Sequence, residues 1–121
     1  MTRPSDRELY KKIEEAKTYL RGLNGLFAHP AKAVGELEAL EIEDTSEVWV
    51  LIQAFLEEIG PADYAGTHPP LRSYEKTIEN CELFAFSWLS IKAEKRLYIK
   101  FALKNKRYYY VSLHEDKKKI I

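Results

Sequence analysis

The chain has 121 residues, 45% of them hydrophobic and 31% charged, which suits one folded domain with an apolar core and excludes a disordered or fibrous chain. Its formal net charge is zero, but residues 1–60 carry seven basic and twelve acidic side chains, whereas residues 61–121 carry twelve basic and seven acidic ones. The basic half can bind a polyanion, although lysine-rich turns that keep strand edges soluble explain the same pattern.

Cysteine use and hydropathy indicate a reducing compartment. Cys81 is the only cysteine, which excludes an internal disulfide and a cysteine-based zinc site. The N-terminal residues are polar and lack the apolar region of a secretory signal. No uncharged run approaches the length of a membrane span. We therefore expect a cytoplasmic protein without a membrane segment.

The first half of the chain, residues 1–59, has the periodicity of helices. Ser5 and Glu8 form a capping-box pattern ahead of an amphipathic stretch. Pro30 is suited to the first turn of a second helix. Asp44 can cap a third helix, whose apolar stripe is broad enough to be well buried. The sequence therefore predicts three helices in this half.

Residues 60–80 are rich in glycine and proline and are predicted to form a loop. The loop contains Tyr64, Arg72 and Tyr74. Long loops with aromatic and charged side chains often line binding sites. A plain connector between the helices and the following strands explains the same composition.

Residues 81–114 read as strands, and a charged tail, residues 115–121, follows them. Stretches rich in aromatic and β-favouring residues cover Cys81–Ser90, Arg96–Leu103 and Arg107–Leu113, and short polar links separate them. Such spacing is typical of an antiparallel meander. The whole chain is thus predicted to be one α+β domain, with N-terminal helices packed on one face of a C-terminal antiparallel sheet.

Alternation along the middle strand separates two faces of the predicted sheet. Leu97, Ile99 and Phe101 form an apolar set that should face the helices. Tyr98 and Lys100 then face outward.

The turn before the last strand decides which side chains meet. A three-residue turn at 104–106 would place Tyr98 opposite Ser112 and would bury Val111. A two-residue turn would bring Leu113 opposite Tyr98, which would mix apolar and polar side chains on both faces of the sheet. The pattern therefore favours an odd-length turn. The same register pairs Lys100 with Tyr110 and Arg96 with His114.

The predicted open face combines basic, aromatic and hydroxyl side chains: Arg96, Tyr98, Lys100, Tyr108, Tyr110, Ser112 and His114, with Ala85 and Ser87 from the first strand. Tyrosines can stack on bases, and lysine and arginine can hold phosphates. Histidine can exchange a proton near neutral pH. A solvated sheet face with ordinary cross-strand pairs is the competing interpretation.

Four segments occur in one order over residues 36–117: Leu40-Glu41-Ile42-Glu43-Asp44, Ala62-Asp63-Tyr64, Leu97-Tyr98-Ile99-Lys100-Phe101 and Val111-Ser112-Leu113-His114-Glu115. Their order and spacing resemble the MqsR (motility quorum-sensing regulator) toxin family. The resemblance implies a RelE-like fold, ribosome-independent cleavage of single-stranded mRNA, and silencing by a cognate antitoxin protein.

The resemblance also implies roles for individual residues. The family's sheet tyrosine falls on Tyr98, its loop tyrosine on Tyr64, and its terminal lysine or histidine on His114. Two positions depart from the family pattern. Ala65 replaces a lysine that follows the loop tyrosine, and Ala85 replaces a glutamine of the first strand.

RNA cleavage without a metal needs a base for the 2′-OH, an acid for the leaving oxygen and a cation at the phosphate. No metal or cofactor motif occurs in the sequence, because its three histidines are scattered. We therefore expect no cofactor, with His114 as general acid or base, Tyr98 positioning the phosphate or assisting proton transfer, and Lys100 and Arg96 stabilising the transition state. Further substrate contacts are expected from Tyr64, Arg72, Tyr110, Ser112 and Ser87.

Two other functions stay open. A non-catalytic RelE-like module could bind RNA or a protein partner, and Ala65 and Ala85 would be its signature. A small-molecule enzyme could use the loop 64–74 as a lid, although no nucleophile–base pair or cofactor motif indicates one.

Overall fold

The computed structural model describes residues 3–117, apart from the side chain of Thr45. Two short 3₁₀ turns, Pro61–Asp63 and Lys76–Ile78, lie in the segment that joins the helical half to the sheet. The regular elements are, in chain order, α1 (Asp6–Arg21), β1 (Gly25–Phe27), α2 (Pro30–Ala39), α3 (Thr45–Glu58), β2 (Phe84–Ser90), β3 (Lys95–Lys104) and β4 (Arg107–Glu115). The predicted α+β class, with helices first and the sheet last, is confirmed.

The helices begin where the sequence predicts. The Ser5 hydroxyl accepts a hydrogen bond from the backbone N–H of Glu8 at 3.1 Å, and the Asp44 carboxylate accepts one from Ser46 at 2.9 Å. Each side chain satisfies a donor that the first turn of a helix leaves free. At the start of α2, the ring of His29 caps the backbone N–H of Lys32.

Within residues 3–117 the sheet has four strands, in the order β1-β4-β3-β2. The sequence did not predict β1, a three-residue strand that pairs in parallel with Tyr108–Tyr110 of β4. Hydrogen bonds from Tyr108 N–H to the Asn24 carbonyl and from Ala28 N–H to the Tyr110 carbonyl hold it there, each at 2.9 Å. The other strand pairs are antiparallel, as predicted.

The turn between β3 and β4 differs from the prediction. It has two residues, Asn105 and Lys106, with φ of 52° and 59°, which is the left-handed geometry of a type I′ hairpin turn. The predicted three-residue turn is therefore wrong. A β-bulge at Val111 adds one residue to β4, because Lys100 pairs with Ser112 whereas the next residue of β3 pairs with Tyr110.

The bulge changes which residues of β4 face the helices. Before it, Tyr108 and Tyr110 lie on the helix side and are at most 1% exposed, so the prediction that they belong to the open face is wrong. Phe101 is fully buried, as predicted. Val111 is only half-buried and packs on the other face of the sheet, so its predicted place in the helix-facing core is also wrong.

The loop that precedes β2 covers part of the second sheet face. Ile78 and Leu83 pack there against Ala102 and Tyr109. The same segment pairs with the edge of β2, where Ala65 N–H donates to the Ala85 carbonyl at 2.8 Å. The uncovered part of this face lies toward the start of β3 and the end of β4.

The predicted charged tail begins later than residue 115, because Glu115 is the last residue of β4. Residues 118–121 of that tail lie outside the described residues. None of the helices in residues 3–117 is long and apolar enough to cross a membrane.

Candidate functional site

Tyr98 and His114 form a stacked pair on the uncovered part of the sheet. Tyr98 of β3 lies directly opposite His114 of β4, with ring centroids 5.0 Å apart and planes inclined by 23°. The sequence paired each of them with another residue, Tyr98 with Ser112 and His114 with Arg96. Both pairings are wrong, because the two-residue turn and the bulge at Val111 each shift the register by one residue, but Tyr98 and His114 lie on the predicted face.

The imidazole of His114 has a defined orientation. Its Nδ1 atom lies 2.8 Å from the carbonyl oxygen of Glu115. Since a carbonyl oxygen only accepts hydrogen bonds, Nδ1 carries the proton that is donated. In the neutral ring, Nε2 is then the nitrogen with a free lone pair. This tautomer suits a general base that acts through Nε2.

Lys100 supplies a cation next to the stacked pair. It is two residues from Tyr98 on β3, and its Nζ atom lies 5.8 Å from the centre of the Tyr98 ring. Burial lowers the pKa of Lys100 and the charge of Lys32 lowers it further, whereas Glu36 partly opposes both. An anion bound at Lys100 would favour its charged form.

The phenol of Tyr98 is held in its protonated form. Burial raises the pKa of Tyr98, and the negative charge of Asp116 raises it further. Tyr98 therefore stays neutral at physiological pH and can donate a hydrogen bond to an anion.

A cleft of about 540 Å³ opens beside Tyr98. Residues 62–65 line one part of the cleft, and residues of the sheet line the other. The side chains that carry its chemistry are those of Asp63, Tyr64, Ser87, Arg96, Tyr98 and Asp116. The structure thus brings together four residues that the sequence proposed for the site: Tyr64, Ser87, Arg96 and Tyr98.

Asp116 belongs to this cleft although the sequence did not predict it. The Ser87 hydroxyl donates a hydrogen bond to Asp116, and the Arg96 guanidinium donates to the Ser87 oxygen at 3.4 Å. Asp116 N–H also donates to the Arg96 carbonyl at 2.9 Å, which continues the ladder between β3 and β4. Continued alternation past His114 would have identified Asp116, had those residues not been assigned to the tail.

Tyr64 fixes the wall of the cleft opposite the sheet. Its hydroxyl donates to the Thr67 carbonyl at 2.6 Å, and the Arg3 guanidinium lies 5.7 Å from its ring centre. The ring also contacts Phe86 edge to face, with centroids 5.9 Å apart. The loop tyrosine is therefore held by both the chain terminus and the sheet.

Tyr110 and Ser112 do not belong to the open site. Both hydroxyls donate to the carboxylate of Glu36 on α2, at 2.8 Å and 2.7 Å. The backbone N–H of Leu113 donates to the same carboxylate at 3.1 Å. Ser112 is only 3% exposed, so the prediction that it lies on an exposed face is wrong. The two hydroxyls join α2 to the sheet edge beyond β1.

Arg72 lies outside the cleft, on an adjoining groove. It is exposed, and its guanidinium donates to the Asn80 carbonyl at 2.9 Å. The groove that it lines also includes His68, Tyr74 and Val111.

No group of three or more His, Cys, Asp or Glu side chains is arranged to hold a metal ion within residues 3–117. Comparison of the chain with protein-family models, curated proteins and solved structures found no match.

Proposed function

We propose that this protein is a metal-independent endoribonuclease that cleaves single-stranded mRNA and acts as the toxin of a type II toxin–antitoxin pair, similar to the MqsR family. The observation that carries the proposal is the stacking of His114 on Tyr98, with the ammonium group of Lys100 beside them on an uncovered sheet face. This set combines a proton acceptor, a neutral hydrogen-bond donor and a cation.

His114 is the general base in the proposed mechanism. The Nε2 atom of the neutral ring takes the proton of a ribose 2′-OH, and the 2′-oxygen forms a bond to the adjacent phosphorus. The bond from phosphorus to the 5′-oxygen of the next nucleotide then breaks and that oxygen takes a proton from water, which leaves a 2′,3′-cyclic phosphate and a free 5′-hydroxyl. The Glu115 carbonyl stabilises the imidazolium that forms, because it accepts a hydrogen bond from the Nδ1–H group.

Tyr98 and Lys100 act on the phosphate. Negative charge increases on the non-bridging oxygens as the 2′-oxygen attacks, and prearranged donors stabilise that charge. The phenol of Tyr98 donates a hydrogen bond to an oxygen of the phosphate or to the leaving oxygen, and Lys100 supplies the counter-charge. Arg96 and Tyr64 border the cleft next to Tyr98, where an unpaired nucleotide of the substrate can be held.

Incubation of purified protein with end-labelled single-stranded RNA in EDTA tests this function. We expect cleavage products that end in a 2′,3′-cyclic phosphate. The matched control is DNA of the same sequence, which lacks the 2′-OH and should stay intact. Intact RNA after long incubation at high protein concentration would contradict the proposed activity.

A cellular experiment tests the toxin role and the antitoxin partner. Overexpression of the chain alone should arrest growth, and co-expression of an antitoxin encoded beside it should relieve the arrest. The variant H114A should lose toxicity at equal protein level. Normal growth during wild-type overexpression would contradict the toxin role.

A non-catalytic module that binds RNA or a protein partner is the second candidate function. The two alanines at which the chain departs from the MqsR pattern favour it. Ala65 and Ala85 are neighbours, joined by a backbone hydrogen bond. Alanine has no polar group, so neither position brings a polar side chain to the cleft. Ala85 is, in addition, only 2% exposed. Binding of RNA without cleavage in the EDTA experiment would support this candidate.

A further inference from the structure

A groove of about 920 Å³ lies beside the segment 67–75, and its His68 stacks on Tyr64 of the cleft, with ring centroids 6.0 Å apart. Val111, the bulge residue of β4, lines the groove and precedes His114 by three residues on the same strand. Three residues of a strand extend over roughly 10 Å. A single-stranded chain with one phosphate at His114 can therefore reach the groove with a neighbouring nucleotide.

Tyr74 presents its ring to solvent from a backbone that is held in place. Its side chain is 99% exposed and so contributes nothing to the core. The preceding residue, Ser73, is buried; its N–H donates to the Cys81 carbonyl at 2.9 Å, and its carbonyl accepts from Asn80 N–H at 3.0 Å. The Ser73 hydroxyl also accepts from Glu75 N–H at 3.0 Å. The turn thus fixes the backbone of Tyr74, and only two side-chain torsions remain to be fixed when a base stacks on the ring.

Arg72 places a cation two residues before Tyr74. Its hydrogen bond to the Asn80 carbonyl uses one guanidinium N–H and orients the group while the side chain stays exposed. Glu75 also lines the groove and offsets part of this charge. One cation, one anion and an exposed aromatic ring suit a single nucleotide better than a run of phosphates.

We propose that this groove binds an unpaired nucleotide that flanks the scissile phosphate, with its base stacked on Tyr74 and its phosphate at Arg72. The inference rests on the proposed function, because it takes the open sheet face as the place where RNA binds. It extends the RNA-binding surface from one phosphate to a longer single-stranded segment.

Binding of 2′-O-methyl RNA, which cannot be cleaved, tests the proposal. A trinucleotide is compared with an oligonucleotide of about ten residues. Wild type should bind the longer strand more tightly, and Y74A should lose about 5- to 150-fold in affinity for it, the value of one stacked base. Y74A should bind the trinucleotide as wild type does, and Y74W should keep the affinity for both. The matched control is Y10A, which removes an exposed tyrosine of α1 that does not line the groove.

The outcomes separate this proposal from the proposed function. If Y74A binds the longer strand as tightly as wild type, the nucleotide subsite is wrong, even where wild-type protein cleaves RNA in EDTA. If Y74A shows the selective loss but wild type cleaves no RNA, the subsite stands and the ribonuclease function fails. If wild type binds both lengths equally, or binds neither, the subsite is overturned.

Discussion

Tyr98 and Tyr110 lie on neighbouring strands of one sheet but on opposite faces of it. Tyr110 is 1% exposed, packs under the helices and donates its hydroxyl to Glu36. Tyr98 is half-buried, stacks on His114, and its hydroxyl makes no hydrogen bond to any residue from 3 to 117. A side chain can act on a substrate only where packing leaves its polar group free, and in this sheet the open face meets that condition.

The turn and the bulge together produce this difference. The two-residue turn pairs Tyr108 and Tyr110 with core residues of β3, and the bulge at Val111 then reverses the side that β4 presents, so His114 lies opposite Tyr98 on the open face. Because of this one inserted residue, β4 buries Tyr108 and Tyr110 on one face and presents His114 on the other.

The largest expected difference in stability is between two tyrosine-to-alanine variants, one on each face of the sheet. Y110A should lower the free energy of unfolding by about 3–5 kcal/mol, because it leaves a cavity in the core. Y98A should lower it by about 0.5–1.5 kcal/mol, the usual worth of an aromatic pair, while it impairs RNA cleavage. Urea unfolding measures both. An equal loss of stability in the two variants would assign Tyr98 to the structure rather than to the site.

A smaller effect on stability is expected from Glu58, on the helix-facing side of the sheet, and this effect depends on pH. The Glu58 carboxylate accepts hydrogen bonds from Trp88 Nε1, the Ser90 hydroxyl and the backbone N–H of Lys92, at 3.0, 2.6 and 3.0 Å. Burial raises the pKa of Glu58, but the hydrogen bonds from Ser90, Trp88 and the backbone outweigh it, so the pKa lies below its ordinary value.

A lowered pKa in the folded state means that ionised Glu58 contributes stability above its unfolded pKa. That contribution is lost as pH falls through the folded pKa. E58Q should therefore lower the free energy of unfolding by about 1–2 kcal/mol at neutral pH and flatten its fall in acid. E43Q, at an exposed carboxylate that forms no ion pair or side-chain hydrogen bond within residues 3–117, is the matched control for loss of a charge. Parallel stability–pH curves for E58Q and wild type would contradict this role.

The smallest expected effect is on the salt dependence of RNA binding by the open face. If Lys100 contacts a phosphate, K100A should reduce the slope of log affinity against log salt by about 0.7–1. R96A should do the same if Arg96 contacts another phosphate. K106A, in the exposed turn far along the hairpin, should leave the slope unchanged. A wild-type affinity that does not depend on salt would exclude phosphate contacts altogether.

Periodicity and caps were enough to predict the helices and the α+β class. Ser5, Pro30 and Asp44 mark helix starts through local chemistry that does not depend on the rest of the fold. The strand β1 was missed because three residues between a helix and a proline show no period. It exists only because β4 offers an edge with which it can pair.

The sequence predicted those site residues whose face is determined by alternation along a strand. Tyr98, Lys100 and His114 lie on the face that alternation along β3 assigned to them, and Ser87 pairs with Tyr98 on the next strand. The bulge could not be read from the sequence, because Val111 suits either face. Tyr110 was misplaced because the turn before β4 has two residues and not the predicted three.

Single-turnover cleavage of one RNA by wild type and H114A, in EDTA, tests the central claim most directly. Losing a general base costs about a hundred- to ten-thousand-fold in rate, and H114A should show that loss while its fold and RNA affinity stay near those of wild type. H114K should retain part of the rate, because the resemblance to the MqsR family allows lysine at this position. Cleavage by H114A at the wild-type rate would contradict the account, and Tyr98 would then be the first residue to test.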